Sequence, residues 1–113
     1  MEVNIMVYVI FTGWVPLEKA RLFGKKVIEG VSKFPADESI SKLIVQGAGS
    51  SEGVIKAFAI SEVMNGKITE ALSRTTSLAI FYAEAIGEGF KYSIETVLSA
   101  MEAMRVIGMK MPE

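Results

Sequence analysis

The segment from Val3 to Trp14 restricts the possible folds more than any other stretch of this chain. It is rich in β-branched and aromatic residues, and its odd positions Val3, Ile5, Val7, Val9 and Phe11 are all apolar, which marks a strand with one face in a core. The even positions Asn4, Met6, Tyr8, Ile10, Thr12 and Trp14 mix polar groups with bulk. A face of that kind suits a cover less uniform than a helix, so the strand calls for two different neighbours.

The rest of the chain supplies the first of them. Behind Pro16, the residues Leu17, Ala20, Gly24, Val27, Val31 and Phe34 recur at three- and four-residue steps and predict an amphipathic helix that ends before Pro35. Ile40 to Ala48 and Val54 to Met64 read as strands joined by a turn over Gly47 to Gly53, hence a hairpin. In the second of these strands Ile55, Ala57, Ala59, Ser61 and Val63 are small or apolar, which suits close helix packing, while Lys56, Phe58, Ile60 and Glu62 alternate charge with bulk. After the Asn65-Gly66 turn, Ile68, Ala71, Leu72, Thr75, Ala79, Tyr82 and Ile86 form one helical stripe, which Leu78, Ile80 and Phe81 widen. Gly87 and Gly89 close that helix, and Phe90 to Val97 reads as a fourth strand. Ser99 and Glu102 match a capping box, predicting a short helix that stops at Gly108.

Composition narrows the chemistry. The 113 residues make one domain, residues 1–113, with no repeat or linker. Half are hydrophobic and the mean hydropathy is +0.38, an apolar surplus that a small monomer cannot hide. Twelve Lys and Arg against thirteen Asp and Glu leave a net charge of -1, which gives nucleic acid no basic field to bind. With neither cysteine nor histidine, the chain has no disulfide, no thiolate nucleophile, no imidazole base and no imidazole ligand. No cofactor or metal is expected. The amino terminus lacks the positive start of a signal peptide, and the apolar run from Ile5 to Val15 is too short to span a bilayer, so a cytoplasmic protein is expected.

Strand, helix, two hairpin strands, helix, strand is the ferredoxin-like order, an α+β fold with both helices on one face of a four-stranded antiparallel sheet in the order four, one, three, two. The opposite face stays bare, and the simplest cover is a second copy packed face to face. In this the chain resembles the dimeric α/β-barrel superfamily, which includes antibiotic-biosynthesis-type monooxygenases, muconolactone-isomerase-like enzymes and small regulatory ligand-binding domains. The resemblance rests on element order and face patterning from Val3 to Val97. It implies a homodimer or higher homo-oligomer that binds a small organic molecule, and it carries over no catalytic residue. The stretches Phe11–Trp14 and Tyr92–Thr96 are also similar to small archaeal proteins of no assigned function.

On the bare face, strand alternation gathers Tyr8, Thr12, Trp14, Lys56, Phe58, Glu62, Ser93 and Glu95. Tyr8, Thr12, Trp14, Lys56, Phe58 and Ser93 are the expected ligand-binding set. A carboxylate enclosed there can serve as a base without histidine, so Glu62 or Glu95 would carry any cofactor-independent proton transfer or oxygenation. The other reading is a non-catalytic regulatory or structural module, in which the face is a dry interface and Glu62 or Glu95 pairs with Lys56. Gln46 to Gly53 could present amides to a phosphate, but it lacks the P-loop ending and reads as a hairpin loop. Trp14 can stack on a planar ligand or plug the barrel end. Arg74, Thr75 and Thr76 read as helix surface, and the seven methionines as gap fillers.

Overall fold

The computed structural model describes residues 6–110, so the expectations for Val3, Asn4, Ile5 and Met111 lie outside the described residues. The order is β1 (Val7–Pro16), a 3-10 turn (Leu17–Lys19), α1 (Ala20–Lys33), β2 (Ser41–Ser51), β3 (Val54–Val63), α2 (Ile68–Ile86), β4 (Lys91–Leu98) and α3 (Ala100–Val106). The four strands form one antiparallel sheet in the order β2-β3-β1-β4, which is the ferredoxin-like arrangement.

Alternation along β1 divides the sheet into two faces. Val9, Phe11 and Val15 point toward the helices and are buried. Phe11 and Val15 join Phe23 of α1 and Ala79, Tyr82 and Ile86 of α2 in one core cluster, while Val9, Val63 and Ala71 make a second. Gly13 gives the rings room, because a Cβ there would touch Phe90 at 3.4 Å and Phe11 at 3.5 Å. Phe11, Phe23, Tyr82, Phe90 and Tyr92 pack with centroids 5.2 to 6.4 Å apart. Lys19 then ties the layer together by donating to the carbonyls of Ile86 (3.0 Å) and Glu88 (2.7 Å), carbonyls at and just beyond the C-terminal end of α2.

The stripe expected on α1 is turned from the one observed. Phe23 and Gly30 are buried and Val27 packs against the cluster around Phe23, whereas Leu17 is 51 % and Val31 70 % exposed. Pro16 ends β1 instead of opening the helix, and the three residues after it form a tighter 3-10 turn. That turn advances the chain at three residues per turn, which rotates the register of everything behind it. The hairpin also departs from expectation: both strands continue through the glycine-rich stretch, leaving only Glu52 and Gly53 as the turn. Their φ values of 51° and 76° are those of a two-residue type I′ turn, which matches the twist of the flanking strands. On β2 the register slips between Leu43 and Val45, so Ile44 is an unpaired bulge residue.

At α3, Ser99 Oγ accepts from the Glu102 amide at 3.2 Å, completing half of the capping box. The other half is missing because the Ser99 amide donates to the Met6 carbonyl, and Glu102 pairs with Arg105 at 3.0 Å. This short helix buries no residue. The molecule measures 50 × 30 × 20 Å, and its least dimension is that of one helix layer on one sheet. Nothing among the described residues forms a third layer.

Candidate functional site

The uncovered face can be laid out from the strand registers as four rows, each crossing β2, β3, β1 and β4. The first is Gly49, Lys56, Trp14 and Lys91; the second Gly47, Phe58, Thr12 and Ser93. Val45, Ile60, Ile10 and Glu95 form the third, and Lys42, Glu62, Tyr8 and Val97 the fourth. All eight residues singled out from the sequence therefore share one face, but they do not converge on one point. Glu62 and Glu95 lie roughly 12 Å apart, separated by β1 and by one row. Lys56 stands at the opposite end of β3 from Glu62, roughly 20 Å away along the strand.

Sequence reasoning offered Glu62 or Glu95 as the partner of Lys56, and within one chain that pairing is not made. Among the described residues the ion pairs are Lys26 with Glu29 at 2.9 Å and Arg105 with Glu102 at 3.0 Å. Distance is the reason.

An open trough of about 710 Å3 lies at the lysine end of the face, lined by Trp14, Phe58, Lys56, Val54 and the hairpin from Ala48 to Glu52. Absent side chains produce it. Gly49 sits beside Lys56 with nothing within 4 Å of where its Cβ would be, and Gly47 lets the Phe58 ring lie across the neighbouring strand at 3.2 Å from its Cβ position. Trp14, Lys56 and Phe58 line the trough, whereas Tyr8, Thr12, Ser93, Glu62 and Glu95 lie outside it. Thr12 is buried in the centre of the sheet between Phe58 and Ser93.

A second concavity, about 340 Å3, opens on the helix side between the first core cluster and β2. Phe11, Phe23, Val27, Leu78 and Tyr82 line it, with Gln46 as a polar contribution. Burial pushes the Tyr82 phenol up from its ordinary value. Sequence reasoning placed Tyr82 in the core, and it placed Gln46 in the strand Ile40 to Ala48 and also at the start of the glycine-rich stretch read as a hairpin loop, and so missed this groove. The signal was the small set Ala57 and Ala59, opposite Ala48 and Gln46 across the hairpin: the helices do not close down over β2, and small side chains leave the gap open. Elsewhere, hydrogen bonds from Ser39 hold the Asp37 carboxyl below its usual range.

Among the described residues no group of three His, Cys, Asp or Glu side chains comes together to hold a metal, and no helix is long and apolar enough to cross a membrane.

No family model matches the chain, and no curated protein matches it. Solved structures do. A de novo designed protein, Foldit4, is similar over 83 % of this chain and 98 % of its own, with 14 % identity and a TM-score of 0.56. A protein from Caulobacter crescentus, provisionally named an antibiotic biosynthesis monooxygenase, is similar over 86 % of this chain and 92 % of its own, with 20 % identity and a TM-score of 0.51. The fold is shared with both. At these identities the likeness extends to the fold alone.

Proposed function

We propose that this protein is a homodimeric binding module that packs its bare sheet faces together and encloses a small organic ligand at the Trp14 trough. The carrying observation is the uncovered face itself, where Ile10, Ile60, Phe58 and Trp14 are only half-buried and Val45 and Val54 are exposed. A contiguous apolar surface of this kind on a two-layer molecule is an interaction site by default. Its size is suitable: four strands about eight residues long project on the order of 500 Å2, and side-chain relief raises this toward the roughly 800 Å2 per partner of a standard interface.

A second copy laid over the sheet turns the open trough into a chamber with Trp14 and Phe58 in its wall. The aromatic pair suits a planar organic molecule, and Lys56, Ser50, Ser51 and Glu52 in the same lining offer it polar contacts. The Caulobacter protein named a monooxygenase shares the fold and does not identify the ligand. Glu62 and Glu95 stand away from the trough, so the reading is one of binding.

Sedimentation at micromolar concentration tests it. A dimer is expected, and Ile60→Glu should give a folded monomer, since a charge in the centre of an apolar contact has no partner. A wild-type monomer would sink the proposal. Native mass spectrometry of the dimer with naphthalene-sized probes should retain one or two molecules per dimer, and Trp14→Ala should release them.

A further inference from the structure

The uncovered face is polar in the electrical sense. Its first row carries Lys56 and Lys91, and its third and fourth rows carry Glu95 and Glu62. Between the ends lie Thr12, Phe58, Ile10 and Ile60, none of them charged. Two further charges qualify the pattern: Lys42 sits beside Glu62 on β2, and Glu52 lies at the hairpin tip beyond Lys56. The lysine end remains positive on the face and the glutamate end negative. None of Lys56, Lys91, Glu62 and Glu95 has an opposite charge within ion-pair distance among the described residues.

A two-fold axis lying between two packed sheets can run along the strands or across them. Along the strands, it sets lysine end on lysine end and glutamate end on glutamate end. Across them, it reverses the copy, so that each lysine end meets a glutamate end. Like charges facing each other cost several-fold to many-fold in affinity, and opposite charges select the register. The charge pattern thus distinguishes the two packings.

We propose that the partner is a second copy of this chain lying across the first, with β3 antiparallel over β3 and Lys56 paired with the partner's Glu62. The inference rests on the sheet-to-sheet dimer and goes further by fixing its orientation and its ion pairs. An axis crossing the strands between the Thr12 and Ile10 rows places the Trp14 row of one copy over the Tyr8 row of the other. It leaves each strand over its own counterpart, so Lys56 falls on the partner's Glu62, and Lys91 lies one row from the partner's Glu95. Sheets that pack face to face are rotated by about 30°, a displacement long lysine stems absorb. Symmetry makes two Lys56–Glu62 pairs, one at each end, with the Trp14 trough beside each.

Zero-length carbodiimide cross-linking of a mixture of unlabelled and 15N-labelled wild-type protein tests this without a variant. Within one chain Lys56 and Glu62 are too far apart to join, so a mixed-isotope Lys56–Glu62 peptide reports the proposed packing. A mixed peptide joining Lys56 to the partner's Glu52 would overturn it, because that link needs the two hairpin tips together. Sedimentation supplies an independent reading: Lys56→Glu and Glu62→Lys should each weaken the dimer about tenfold or more, and the double variant should regain most of the loss. A dimer indifferent to both single changes would reject the orientation while leaving the sheet-to-sheet reading intact, and a wild-type monomer would remove that reading itself.

Discussion

Single positions in this small molecule bear on its stability in opposite directions. Gly89 has a φ of 92°, and a Cβ built there would lie 2.7 Å from Pro16 Cγ, part of a ring that cannot swing aside. Gly89→Ala should cost about 2 kcal/mol or more, from the strained backbone and the clash together. Gly24 stands in the exposed middle of α1 with nothing within 4 Å of its Cβ position. Gly24→Ala should stabilise by about 0.5–1 kcal/mol through helix propensity alone. Chemical denaturation of the two variants measures both signs. Tyr82 adds a dependence on alkali. Its phenol is raised in the folded state, so the neutral form favours folding: that stability is fully present below the ordinary phenol value near 10 and is lost as pH rises through the higher folded value. Unfolding midpoints between about pH 9 and pH 12 should fall more steeply for wild type than for Tyr82→Phe.

Among the elements, α3 provides the sharpest test of local against global stability. Ser99→Ala removes its one side-chain cap, a loss of about 1 kcal/mol to that helix. Since α3 buries no residue, the main unfolding midpoint should stay put while amide exchange in Ala100–Val106 accelerates. The elements were also what the sequence disclosed most fully. Strand alternation in β1 and β3 and the stripe on α2 identified the two faces of the sheet and the Ala71, Ala79, Tyr82 and Ile86 contacts, because buried positions there repeat without interruption. The inward face of α1 escaped because the 3-10 turn after Pro16 shifts the helical phase, and glycines 24 and 30 look alike in sequence although only Gly30 packs, against Leu78 and Tyr82. The hairpin tip was hidden for a related reason. Gly47, Ala48, Gly49, Ser50 and Ser51 have the composition of a loop, yet pairing with β3 holds them extended, and their small side chains shape both concavities. The face was therefore legible as a set of residues, and the trough within it was not, since a trough depends on which side chains are missing beside which strand.

For the molecule as a whole, the proposed dimer makes a prediction that dilution tests. If folding and pairing are linked, dilution must lower the thermal midpoint, and a hundredfold change in protein concentration should move it by several degrees. A midpoint independent of concentration, in a sample that sediments as a dimer, would mean the pair dissociates before it melts. Ionic strength gives a second handle. Raising salt from about 0.05 M to about 0.5 M shortens the screening length from roughly 14 Å to roughly 4 Å and should loosen the proposed pair at its charged ends. The outer strand β2 bears on how far assembly can go. Among the described residues nothing pairs along its outer side, and an uninterrupted strand of its length would be a template for continued addition. The extra residue at Ile44 throws the amides on either side of it out of step, so a newcomer could zip along half the margin and then lose its footing. Growth sideways into ribbons is thereby discouraged by one misfit residue, and excising it would straighten the margin and invite fibres.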